Sequence, residues 1–262
     1  MNGNNLSIKS TPLLPRLRKI IVVVDDTINN RARDKQLPWK TQKNPEVSIL
    51  NVDEPNDIDL YADVINNTPS LLTPNTTWLL DPYTLQYKQL LEDKIEGLLW
   101  DNVQRRIAIL TLLVKNLGGK SIKINHIEHH ILKGKLDAKA NYKVADVHLS
   151  GKIENDIKQT YEENIEFKED GKKDIAAAEQ LLLKHNASDD KELNTLIEKR
   201  TGINCTLTDE IKLTLNSSLI GSMELAVKLG LPGISNGGEI KGELEKIKNI
   251  TVCWSMEFQK SC

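Results

Sequence analysis

The sequence predicts an α+β fold: an N-terminal α/β layer with a long amphipathic helix, then a C-terminal antiparallel β-rich part with an inserted helical hairpin. Three observations carry this. Ile20-Ile21-Val22-Val23-Val24 is a β-branched run with no polar side, as in a strand buried on both faces. Leu91, Ile95, Leu98, Leu99, Val103, Ile107, Leu110, Val114 and Leu117 recur at three- and four-residue steps, which puts one apolar stripe on a helix. Beyond Gly118-Gly119 the hydrophobic period drops to two, the spacing of strands with one buried face. The change of period marks the boundary between an α/β part, 20–118, and a β-rich part, 119–262, that carries helices within 174–201. Residues 1–19 form a polar, then basic, leader with Pro12 and Pro15.

The elements follow in order. Asp25-Asp26-Thr27 stops the first strand. Residues 28–45 are polar and contain Pro38 and Pro45, so they read as a long loop. Val47 to Val52 is a second strand, and Ile58 to Ile65 a short helix that Asp57 can cap. Trp78-Leu79-Leu80 is a third strand ending at Asp81-Pro82. The long helix follows, with Thr84 as its cap and Gly118-Gly119 as its stop.

Ser121 to Glu128 alternates with Ile122 and Ile124 on one face, and alternation continues from Leu136 to Ile153 with a one-residue slip at Ala145-Asp146, as at a β-bulge. Ile165 and Phe167 extend that layer. Helices over Asp174–His185 and Asp189–Arg200 interrupt it, the second capped by Ser188 and stopped by Gly202. Two alternating arms close the chain. Ile211, Leu213, Leu215, Leu219, Met223, Leu225, Val227 and Leu229 hold odd positions; Ile240, Leu244, Ile250, Val252, Trp254, Met256 and Phe258 hold even ones. Pro232, Gly233, Gly237 and Gly238 place a turn between them. Each arm is either one long strand or two ordinary ones, divided at Gly221 and at Lys246–Lys248.

Composition narrows the function. With 35 Lys+Arg against 37 Asp+Glu and a net charge of −2, a globally basic nucleic-acid binder is excluded, and no motif points to specific nucleic-acid recognition. Cysteines at 205, 253 and 262 form no CxxC pair, so no disulfide framework or thiolate zinc site is expected and a reducing cytoplasm is. No apolar stretch approaches the ~18–20 residues of a spanning helix. Gly118-Gly119-Lys120-Ser121 imitates the end of a P-loop, but it follows a helix and opens a strand, so no helix N-terminus faces a phosphate. No Gly-x-Ser-x-Gly elbow is present.

Two constellations can carry chemistry. Asp25, Asp26 and Asp81 end apolar strands. If those strands are parallel neighbours, the carboxylates converge and hold a hard divalent cation such as magnesium. On a strand, His126, Glu128 and His130 point the same way and offer three metal ligands. The function expected first is a non-enzymatic β-rich interaction or assembly protein, acting on a protein partner or on itself. A finer version has the 211–258 hairpin enter a membrane with Leu225, Val227, Leu229, Ile240 and Leu244 on its apolar side, since barrel strands need only ~9–11 alternating residues. In pattern these arms resemble the elongated hairpins of aerolysin-type pore formers. The alternative is a metal-dependent hydrolase or phosphotransfer enzyme built on the three aspartates.

Overall fold

The computed structural model describes residues 18–41, 44–91, 95–129, 165–167, 172–201, 207–214, 218–234, 241, 244 and 250–259. The fold is α+β. Its first half contains β1 (Ile20–Val24), α1 (Asp26–Asp34), α2 (Pro38–Thr41), β2 (Val47–Asn51), α3 (Pro55–Leu60), α4 (Ala62–Asn67), a 3-10 turn at Pro69–Leu72, β3 (Thr76–Leu80) and β4 (Tyr87–Gln89). These strands make a sheet of order β2-β1-β3-β4, parallel between β1 and β2 and antiparallel elsewhere.

α5 (Ile95–Asn116) leads to β5 (Gly119–His129), β6 (Ile165–Glu166), α6 (Ile175–Lys184), α7 (Lys191–Thr201), β7 (Thr208–Thr214), α8 (Ser218–Leu229) and β8 (Ile250–Phe258). The second sheet, of order β6-β5-β8-β7, is antiparallel throughout.

All five residues of β1 are fully buried. Ile20, Val22 and Val24 face the main core, while Ile21 and Val23 meet Leu50, Tyr61, Leu71 and Trp78 in a smaller one. Burying five such side chains contributes on the order of 10 kcal/mol before chain entropy is charged against it. The main core is shared by both sheets. The α5 stripe (Ile95, Leu99, Val103, Ile107, Leu110, Val114) packs within it together with Ile122, Leu213, Val252 and Trp254. α5 ends where predicted: Gly118 adopts φ +77°, and a Cβ on Gly119 would fall 2.7 Å from the Val114 carbonyl oxygen.

Several expectations are corrected. Residues 28–45 hold α1 and α2 rather than one long loop. Asp25 caps α1 by accepting from the Ile28 amide at 2.7 Å, and only Ala32 and Trp39 are buried, too few anchors to print a period. Asp57 lies inside α3, where its carboxylate instead accepts from the Asn51 amide at 2.9 Å. Thr84 belongs to a turn before β4 and does not cap α5. Asp190, not Ser188, accepts from the Leu193 amide at the start of α7.

The larger correction concerns the 211–229 arm. Among the described residues its strand is Thr208–Thr214, and Leu225, Val227 and Leu229 lie on α8. A step of four keeps residues on one face in either period, so Leu219/Met223 and Leu225/Leu229 fit both. Ile220 and Ala226, buried at even positions, fit only the helix. Lys241 and Leu244 are also helical, with Leu244 buried. The second arm holds from Ile250 onward, with every even residue of β8 buried. β7 and β8 do pair antiparallel, Ile211 opposite Trp254 and Leu213 opposite Val252, but a helix stands between them where a turn was expected. An elongated 211–258 hairpin is therefore absent. The leader (1–17), the Leu136–Ile153 strand with its slip at Ala145-Asp146, Gly202, Cys205, Ile240 and Cys262 lie outside the described residues.

Candidate functional site

The structure separates the three predicted aspartates. Asp25 and Asp26 follow β1, beside the carboxyl end of the parallel strand β2, where Asn51 Nδ2 donates to Asp26 at 2.7 Å and Asp53 accepts from the Asp26 amide at 2.9 Å. Asp81 follows β3, which runs antiparallel to β1 with Leu79 opposite Ile20. It therefore stands at the other end of the sheet, a five-residue strand or roughly 17 Å away. There it is buried and organises a turn: Oδ1 accepts from the amides of Tyr83 (2.9 Å) and Thr84 (3.2 Å), and Arg105 Nε stands 3.9 Å from Oδ2. Convergence fails because the two strands are antiparallel.

The β5 trio fares differently. A register shift between Ile124 and His126 leaves His126 opposite Cys253 and Glu128 opposite Thr251, two positions on one face of the sheet. Lys212 Nζ donates to both carboxylate oxygens of Glu128 at 2.8 and 3.1 Å. His130 lies outside the described residues. Among the described residues, no group of three or more His, Cys, Asp or Glu side chains is arranged to hold a metal ion. None of their helices is long and apolar enough to cross a membrane.

The most elaborate polar construction lies between the two sheets, in a cleft of ≈ 760 Å³. One wall is the segment from Leu80 to Leu85; the other comes from Asn186 to Glu192, ahead of and into α7; Arg106 of α5 and Thr214 of β7 form the floor. Arg106 donates through Nε to Asp190 Oδ2 at 2.8 Å and through one terminal nitrogen to Asp190 Oδ1 (2.8 Å) and Glu192 Oε2 (2.6 Å). Its other terminal nitrogen donates to the Thr214 carbonyl. Glu192 Oε1 accepts from the Thr214 hydroxyl at 3.2 Å and faces its amide at 3.4 Å. Arg106 and Asp190 side chains are 9% and 10% exposed, so this two-pronged pair is largely out of water and strongly coupled. The guanidinium spends its donors on elements 84 to 108 residues distant, which makes it a clamp rather than a free anion site.

Tyr83 reports the same environment: burial, opposed by the Arg106 charge and helped to a smaller extent by Asp190, pushes its hydroxyl up to about 12, so it stays protonated at ordinary pH. The rim is held in unusual backbone. Asn186 (φ +53°) donates from Nδ2 to the Tyr83 carbonyl at 3.1 Å. Across from it Leu85, at φ +55°, keeps its side chain 56% exposed. Asn tolerates that conformation; a bulky Leu seldom adopts it.

Sequence reasoning missed the clamp. One signal was available: Arg106 falls between Val103 and Leu110 on the apolar stripe of α5, where a charge needs a buried partner. Nothing local points to Asp190 and Glu192 as that partner. Comparison with protein-family models, with curated proteins and with solved structures gave no match.

Proposed function

We propose that the chain is a non-enzymatic interaction module of a reducing compartment such as the cytoplasm, and that it seats a segment of a protein partner against the Leu85 rim of the cleft. The observation that carries this reading is Leu85 itself. A left-handed conformation costs a side-chain-bearing residue roughly 1–2 kcal/mol, and burial gives little back here because more than half of the side chain meets water. Strain of this kind gathers at ligand clamps and switch regions. The turn is locked from within: the Leu85 amide donates to the Asp81 carbonyl and the Asp81 amide to the Gln86 carbonyl, both at 2.9 Å. An apolar anchor fixed before contact loses little freedom when a partner arrives. Polar groups at Asn186 and Asp189 on the facing wall suit a partner's main chain. The metal-dependent alternative has lost its premise, because Asp81 does not meet Asp25 and Asp26.

A photo-crosslinking amino acid in place of Leu85 tests the reading. Irradiation in cells is expected to give one discrete protein adduct, suppressed by excess unlabelled wild type but not by Leu85→Gly. That variant should be as stable as wild type or gain about 0.5 kcal/mol, since relief of strain slightly exceeds the entropy glycine brings. Its failure to compete would then not reflect misfolding. The absence of any protein adduct, or equal competition by Leu85→Gly, would refute the proposal.

A further inference from the structure

β7 is the outermost strand of the second sheet among the described residues, and its free edge has a readable hydrogen-bonding phase. Phe258 N–H donates to the Leu207 carbonyl, so the main chain of odd residues turns toward β8 and that of Thr208, Glu210, Lys212 and Thr214 turns away from it. Two of these outward residues are already engaged. Arg106 donates to the Thr214 carbonyl, Glu192 stands at its amide, and the Glu210 amide donates to Asp209 Oδ1 at 2.8 Å. Asp209 Oδ2 is buried without a partner. Charged caps at both ends are the usual protection of a sheet edge, and they leave the stretch between Glu210 and Lys212 for a further strand.

We infer that this stretch pairs antiparallel with the β7 of a second copy, about a two-fold axis through Ile211. The argument is charge and phase together. Centring on Ile211 sets Glu210 opposite Lys212 of the second copy and Lys212 opposite its Glu210, so both cross-strand pairs join opposite charges. The same centring makes these two pairs the ones whose main-chain groups face each other; with the Glu210 amide held by Asp209, each Lys212 amide donates to the Glu210 carbonyl of the other copy, giving two inter-chain hydrogen bonds. Within one chain both side chains are exposed and lean back over their own sheet, Lys212 to Glu128 and Glu210 to Asn125 at 3.2 Å. Exposed contacts of that type are weak and yield readily to a new neighbour. Engaged ends and an isologous contact stop the assembly through this strand at a dimer, because each chain uses its β7 edge in the contact. The surface is separate from the Leu85 rim.

Sedimentation equilibrium of the full chain tests this. So short an edge contact is small beside standard interfaces, so a dimer with a dissociation constant in roughly the 10–100 μM range is expected. Glu210→Lys alone sets Lys against Lys and Lys212→Glu alone sets Glu against Glu; each should be monomeric at ten times that concentration. An equimolar mixture of the two should restore a heterodimer, and Leu85→Gly should dimerise as wild type does. Circular dichroism matching wild type confirms that each single variant is folded. A wild type that stays monomeric throughout, a single variant that still dimerises, or a mixture that does not associate would overturn the inference.

Discussion

Asp25, Asp26 and Asp53 crowd the carboxyl ends of β1 and β2 within reach of water, whereas Asp190 and Glu192 lie in one wall of the cleft and share one guanidinium. The residue types are alike and the energetics are not. At the strand ends each carboxylate is satisfied by a main-chain amide or an asparagine side chain, Asp25 within its own turn and Asp26 and Asp53 across the neighbouring ends of β1 and β2, and none of these bonds balances a buried charge, so each contribution is separable. In the cleft the charges compensate one another across segments far apart in the chain, and removing one leaves the others buried without balance. Charged clusters in this molecule divide by burial rather than by composition.

The sharpest way to break the comparison is Arg106→Ala, which strands Asp190 and Glu192. A loss of about 3–5 kcal/mol is expected, read from the denaturant midpoint. Replacing all three clamp residues together with apolar side chains of similar volume should cost much less than that single change. If it does not, the clamp is held by something other than charge balance.

A second test uses alkaline pH. Tyr83 has a folded pKa of about 12 against about 10 unfolded, so the folded chain keeps this proton longer. Its contribution is complete below pH 10 and is lost as pH rises through 12, by about 2 kcal/mol after allowance for partial exposure. Burial raises Tyr61 and Tyr87 as well, so wild type loses further stability over the same range. Tyr83→Phe should flatten the decline by the Tyr83 share alone, measured by denaturant unfolding between pH 9 and pH 12. The smallest effect belongs to the solvated cluster: Asp25→Ala removes the α1 cap and should cost about 1 kcal/mol by thermal unfolding, with no change in the pH slope assigned to Tyr83.

How much of this was legible in sequence depended on whether the signal was periodic and local. β1, the α5 stripe, β5, the α6–α7 hairpin and β8 could all be read, because each prints its burial into residue spacing. The segment 218–229 misled because its large apolar residues are separated by two and by four, and a four-step serves helix and strand equally; Ile220 and Ala226 held the answer. α1 and α2 were hidden because few of their residues touch the core. At the site, Arg106 was visible as a charge on an apolar stripe, but its partners are fixed by tertiary packing. Asp81 was identified correctly as a strand terminator, while its distance from Asp25 depended on strand direction, which an apolar run does not encode.

The position of β8 between β5 and β7 has a consequence for synthesis. The first sheet can close once Gln89 has left the ribosome, since its strands span residues 20–89. β5, finished at His129, must wait for Ile250–Phe258, which at typical elongation rates is on the order of 10 s later. Through that interval an eleven-residue strand rich in isoleucine has its central partner still unmade, and the nascent chain depends on chaperone cover or on its own charged flanks to keep that strand from pairing elsewhere.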